Sequence, residues 1–236
     1  MASGLGFSGS YVYAKSIDDA SSVGLGAVVV AQNPFDISAD RSLSSFDQKH
    51  KFTGSWTYDL PFGENHQMAP RGALSHILDG WQWSGSATIG SGFYFTPNVR
   101  GGSVDISRGV SGSQRANYVV GQPISLNNPA SLEWFNTAAF CYAPGSPTCA
   151  NPSGSLFGDA GRNIIEGPGQ FSLNMALSKT IQIKETRALE LRVQAANVFN
   201  NVVFSAINTT VNSQTFGEVT SVGSMRKLTM VARFRF

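Results

Sequence analysis

The residues that could carry chemistry are few and scattered. Ser224–Met225–Arg226–Lys227 has the S-x-x-K spacing of serine acyl-enzymes. That motif needs its Ser at a helix start and its Lys one turn later. Here Lys227 opens a run with strand periodicity, and the chain holds no K-T-G or S-D-N companion. Gly24–Leu25–Gly26 precedes Val28–Val30, the reverse of the strand-then-glycine order of a dinucleotide site. His50, His66 and His76 are widely spaced, with no H-E-x-x-H pattern, and read as ordinary surface histidines. Cys141 and Cys149 bracket YAPGSPT, whose Pro144, Gly145 and Pro147 suit a tight turn. In an oxidising compartment that spacing favours a disulfide. Two thiols without a nearby His do not complete a zinc site. The expectation is therefore no catalytic residue, no metal and no cofactor. A net charge of +2 with no block of like charges gives no reason to expect nucleic acid.

The elements that position these residues carry the stronger signal. The chain ends in KLTMVARFRF. Leu228, Met230, Ala232, Phe234 and Phe236 form one set of alternate positions, wholly apolar. Lys227, Thr229, Val231, Arg233 and Arg235 form the other, mostly polar. The same period of two predicts long strands near 4–15, 48–60, 81–95, 170–183, 187–199 and 226–236. Helical spacing is poor except over 72–80, which could form a short helix. Connections alternate between long and short, with a long loop over 97–168 and a tight turn near Lys184–Glu185–Thr186. This predicts an all-β, antiparallel up-and-down meander of about six long strands.

Charged residues make up 14% of the chain, well below the roughly 25% of an average soluble domain. Aromatics reach 11%. No run of 18 apolar residues occurs, so no transmembrane helix is expected, but closed β-barrels also span bilayers. Outer-membrane barrels pair short turns on one side with long loops on the other. With the last strand running from outside to periplasm, Tyr58, Trp81, Trp83, Phe234 and Phe236 gather at the periplasmic edge. Tyr11, Tyr13, Phe93, Phe95, Phe171 and Phe199 gather at the outer edge. Two aromatic belts are what amphipathic rings at headgroup level produce. The polar set then faces the lumen and offers Lys49, Lys51, Asp59, Glu190, Arg192, Lys227, Arg233 and Arg235. Lys179 alone breaks the apolar set, unless it snorkels or the register shifts near it. The competing expectation is a soluble or surface β-sheet protein for binding or adhesion, with the apolar set folded on a core.

Several stretches resemble the C-terminal barrel of TonB-dependent outer-membrane receptors of the Oar-like group, which carries a carboxypeptidase-regulatory-like domain. They are NPFDISADRSLSSFDQKHKF (33–52), YDLPFG (58–63), GWQWSG (80–85), WFNTAAF (134–140), FGDAGRN (157–163), GPG (167–169), NVFN (197–200) and the final RFRF. They occur in the family's order. The resemblance implies a fragment of a large, 22-stranded transmembrane β-barrel with long extracellular loops. It implies uptake of a carbohydrate, peptide or siderophore-like nutrient. The implied partners are outer-membrane lipid, the remainder of the barrel, a plug, an inner-membrane energy-transducing complex reached through the plug, and the barrel-assembly machinery. No plug domain and no signal peptide are read in residues 1–236, so the chain is expected to be the last portion of a receptor, inactive alone. Phe234 and Phe236 match the terminal assembly signal. Trp134, Phe135 and Arg162, in the longest loop, are the candidates for ligand contact.

Overall fold

A computed structural model of the chain describes residues 4–20, 31–33, 35–62, 78–100, 114–142, 149, 157–184 and 187–236. Six long strands form one antiparallel sheet in sequence order. They are β1 (Leu5–Tyr13), β2 (His50–Asp59), β3 (Trp81–Gly90), β4 (Gln170–Lys184), β5 (Arg187–Ala196) and β6 (Lys227–Arg235). Every strand pairs with its chain neighbour, which makes the sheet an up-and-down meander. The connections β1–β2, β3–β4 and β5–β6 leave from one rim, called upper here. The connections β2–β3 and β4–β5 leave from the lower rim, where Lys184 pairs with Arg187. The expected 72–80 helix lies largely outside the described residues, as do residues 185–186 of the lower turn.

Two strands end earlier than periodicity predicts. Ile89, Phe93 and Phe95 continue the alternation, but β3 stops at Gly90. Gly92 runs so close to the Gly167 carbonyl that no Cβ fits between them. Tyr94–Phe95 instead pair with Ile165–Glu166, outside the main sheet. β5 ends at Ala196 because Asn197 takes a left-handed φ of 49°. Asparagine tolerates that conformation, and its side chain rewires the turn. Its Nδ2 donates to the Asn201 carbonyl at 2.8 Å, and its Oδ1 accepts from the Asn201 N–H at 3.0 Å.

Register brings the apolar sets of all six strands onto one face. One row runs Leu5, Tyr58, Trp83, Leu177, Val193, Met230; the next runs Phe7, Trp56, Gly85, Met175, Ala195, Leu228. No second layer covers this face among the described residues. Trp83 is 37% exposed, Leu191 42% and Met230 79%, and Met175 is half-buried. A soluble sheet would seal these side chains, since burial of apolar area is what stabilises it. Within the face, packing is local: Trp56 lies over Gly85, where a Cβ would collide with the indole, and meets Trp83 edge-on at 5.4 Å.

The aromatic positions fix how the sheet stands in a bilayer. Tyr58 is level with Leu177 of β4, through Trp83, whereas Phe234 is level with Ile181, through Leu189. The lower belt thus slides four residues along the strands, about 14 Å, while crossing four strand spacings, about 19 Å. A level belt then requires a strand tilt of about 35°, inside the range of outer-membrane barrels. The upper ring slides in the same sense: Tyr13 sits one step above the Lys51–Gly90–Gln170 row, and Phe171 one step below it. On β4 the belts are ten residues apart, from Phe171 to the level of Ile181. That is about 34 Å along the strand and about 28 Å after tilt, against an apolar band of roughly 25 Å.

The buried core is elsewhere, in the upper connections. Val99, Ala116, Phe135, Ala139, Phe140, Ala160, Ile165 and Ile207 form one cluster, with Phe95, Trp134 and Phe216 packed against it. The long 97–168 loop is therefore not an irregular flap over its described part. It is the body of a cap with its own apolar interior.

Candidate functional site

The face opposite the apolar one is lined with hydroxyls, amides and charge. Ser8, Ser55, Ser86 and Asn174 form one row, and Thr57, Ser84, Ala176, Gln194 and Thr229 another. The alternation that predicts Lys51, Asp59, Glu190, Arg192, Lys227, Arg233 and Arg235 on this face agrees with the observed register. Lys49 lies just above β2, where its carbonyl accepts from the Ala14 N–H at 3.2 Å. Asp59 accepts from Gln82 Nε2 at 2.8 Å. Glu190 is bracketed by Arg233 at 3.8 Å and Arg235 at 3.3 Å. Arg192 and Lys227 have no carboxylate within ion-pair distance among the described residues. The β5–β6 part of the wall is therefore cationic: four basic side chains stand against one acidic one.

The small side chains of Ser84, Ala176 and Ala196 leave a trough of about 560 Å³ in this wall. Arg192 and Lys227 both line it. The three histidines do not converge, and His66 and His76 lie outside the described residues. His50 instead joins the upper aromatic ring, with Nδ1 2.8 Å from the Tyr11 hydroxyl. Ser224 stands in the turn before β6, not on a helix, so the S-x-x-K reading fails on geometry.

Lys179, a charge on the apolar face, reaches the rim. Its Nζ lies 5.2 Å from the centre of the Trp81 ring and donates to the Asp79 carbonyl at 3.2 Å. The ammonium leaves the hydrocarbon level and its stem covers apolar surface, which is snorkelling with a cation–π contact at its end.

The cap is a clasp between connections. Arg115 pairs with Asp40, both nearly buried, and its backbone N–H donates to Gln32 Oε1 at 2.6 Å. Gln32 Nε2 in turn donates to the Gly158 carbonyl at 2.9 Å. Arg162 pairs with Asp18, donates through Nε to the Asp40 carbonyl at 2.7 Å, and is 8% exposed. Asn98 joins the third connection through Thr209 and Val211, at 2.9 Å and 2.8 Å. Sequence reasoning missed Asp40, Gln32 and Arg115. Of the three, only Asp40 lies in a stretch the sequence reading singled out, NPFDISADRSLSSFDQ.

Two ligand-contact candidates are corrected here. Phe135 is 1% exposed, and its ring meets Phe140 and Phe216 edge-on at 5.9 Å and 5.2 Å, so it is core. Arg162 spends its guanidinium on the first connection, so it is structural. Trp134 is half-buried, its Nε1 donating to the Glu166 carbonyl at 3.2 Å and its ring edge-on to Phe204. Phe95, expected in the outer belt, packs on the cap core instead. The upper belt keeps Tyr11, Tyr13 and a stacked Phe171–Phe199 pair at 6.4 Å. Phe234 and Phe236 stack at 6.3 Å on the lower apolar rim. Cys141 and Cys149 are joined in a disulfide in the cap, where Cys149 is buried. Near the same cap, burial pushes the Tyr94 phenol above its ordinary range, helped by the carboxylates of Glu166 and Asp47.

The comparisons point the same way as the geometry. A family described as outer membrane beta barrel domain matches residues 1–229. No curated protein and no solved structure matches the chain. With a continuous lipid-compatible face, two aromatic belts about one apolar band apart and a polar wall behind them, the chain belongs to the outer membrane beta barrel domain family and resides in the outer membrane.

Proposed function

We propose that this chain supplies wall and cap to a TonB-dependent receptor of the Oar-like type, which takes up a nutrient through the outer membrane without catalysis. The observation that supports this best is the pairing state of the sheet. Among the described residues, β1 and β6 each have only one neighbour. An unpaired backbone N–H or C=O in hydrocarbon costs several kcal/mol. Nine residues on each outer edge cannot remain so in lipid, and further strands would have to close the barrel. A wide barrel built that way needs an internal occupant to avoid an open pore, and the polar wall suits a plug. Energy input through that plug would come from the inner membrane, and Phe234 and Phe236 would serve the assembly machinery.

The test is uptake by cells carrying the full-length gene, with and without an uncoupler of the inner-membrane proton gradient. Energised transport predicts that the uncoupler abolishes accumulation while surface binding persists. Uptake unaffected by the uncoupler would replace the receptor reading with a passive pore.

A further inference from the structure

The trough on the polar wall is a candidate site that the barrel fold alone does not require. Its volume of about 560 Å³ falls within the range of small-molecule sites. Beside an apolar share from Met175, Ala176, Ala195 and Ala196, its polar lining divides into two chemistries. Ser55, Ser84, Ser86 and Thr229 present hydroxyls, and Arg192 and Lys227 present cations. The hydroxyls of Ser55, Ser84 and Thr229 make no side-chain hydrogen bond among the described residues. Ser86 only accepts, from Asn174 Nδ2 at 3.4 Å, so its proton is still available to a ligand oxygen.

The two cations are equally uncommitted. The nearest carboxylate along β5, Glu190, is already shared by Arg233 and Arg235. No acidic residue lines the trough. Lys227 faces Ala196 and Arg192 faces Val231, so the two stand four residues apart along adjacent strands, about 13 Å. The two cations stand on the β5–β6 side of the trough with Gln194 and Thr229 between them, and the β2–β3 serines face them across Asn174 and Ala176, an arrangement that complements a solute with spaced carboxylates and many hydroxyls. Arg192 offers a planar fork for one carboxylate, and Lys227 a point charge for another. Trp56 lines the trough, but its ring lies over Gly85 on the opposite face and offers no stacking platform here. Recognition here would therefore be by hydrogen bonds and charge.

We propose that this trough binds an anionic, polyhydroxylated solute of the acidic-sugar class. The proposal deepens the uptake reading and rests on it for its biological sense, but its test does not use transport. Purified full-length protein in detergent is titrated calorimetrically with digalacturonate and, in parallel, with neutral digalactose. Digalacturonate is expected to bind at least tenfold more tightly, with affinity falling as salt rises. Arg192→Gln and Lys227→Gln are each expected to weaken digalacturonate about tenfold and leave digalactose unchanged. Arg192→Lys should recover part of the loss, because charge returns without the fork. Both positions are exposed, and heat-modifiable gel mobility confirms that each variant is folded. Absence of binding, equal binding of the neutral sugar, or indifference to Arg192→Gln would overturn the site. An uncoupler-insensitive uptake with intact digalacturonate binding would sink the receptor reading and leave the site standing.

Discussion

Val193→Arg separates a bilayer-facing sheet from a protein-facing one. Val193 lies between Leu177 and Met230 on the apolar face and is 45% exposed. It is four residues above Leu189, which is level with lower-belt Phe234, and six below Phe199, which stacks in the upper ring. That places it near mid-bilayer. An arginine there costs about 2–4 kcal/mol, or about 30- to 900-fold in the folding equilibrium. The next residue, Gln194, points to the polar wall opposite Thr229. Gln194→Arg adds like charge near Arg192, screened by water, and should cost under about 1 kcal/mol. The assay is reversible denaturant unfolding of the full-length protein in lipid vesicles, followed by tryptophan fluorescence and by heat-modifiable mobility. A difference of less than about 1 kcal/mol between the two variants would refute the face assignment.

Arg115→Ala leaves Asp40 buried without its partner and should cost the cap about 3 kcal/mol, seen as faster proteolysis within the upper connections while the barrel band on gels is unchanged. Replacing Cys141 and Cys149 by Ser opens a short loop and should lower cap stability by about 2–3 kcal/mol, read as earlier protease cleavage near that loop. The raised Tyr94 phenol predicts alkaline loosening. The folded state holds this proton more tightly than the unfolded one, so its contribution is full below the ordinary phenol range and is lost as pH rises through the folded value. Tyr94→Phe should remove that component from the pH dependence of cap proteolysis above about pH 10.

The strands were legible because every second residue obeys one solvent. Phe52, Trp56 and Tyr58 against Lys51, Thr57 and Asp59 leave no other register open, since a slip of one residue would invert the whole face. The cap was not legible for the opposite reason. Its core draws Val99, Ala116, Phe135, Ile165 and Ile207 from distant stretches of two connections, with no period to connect them. WFNTAAF therefore read as an exposed loop with aromatics to spare, when Phe135 is an interior residue. Phe95 was misplaced because alternation ran on past a strand end that Gly92 and Gly167 decide by backbone contact. Lys179 looked anomalous because its answer, Asp79 and Trp81, lies across the sheet. The wall charges followed from parity alone, but which of them are already paired did not. Only register shows that Glu190 is taken by Arg233 and Arg235 while Arg192 is not.

The most direct measurement of the central claim is depth-sensitive quenching along β5. Single cysteines at 189 through 195, each carrying the same small fluorophore, are placed in vesicles with brominated acyl chains. Quenching is predicted at 189, 191, 193 and 195 and not at 190, 192 and 194. Uniform quenching, or strong quenching at the even positions, would contradict an outward apolar face and with it the whole placement of the wall.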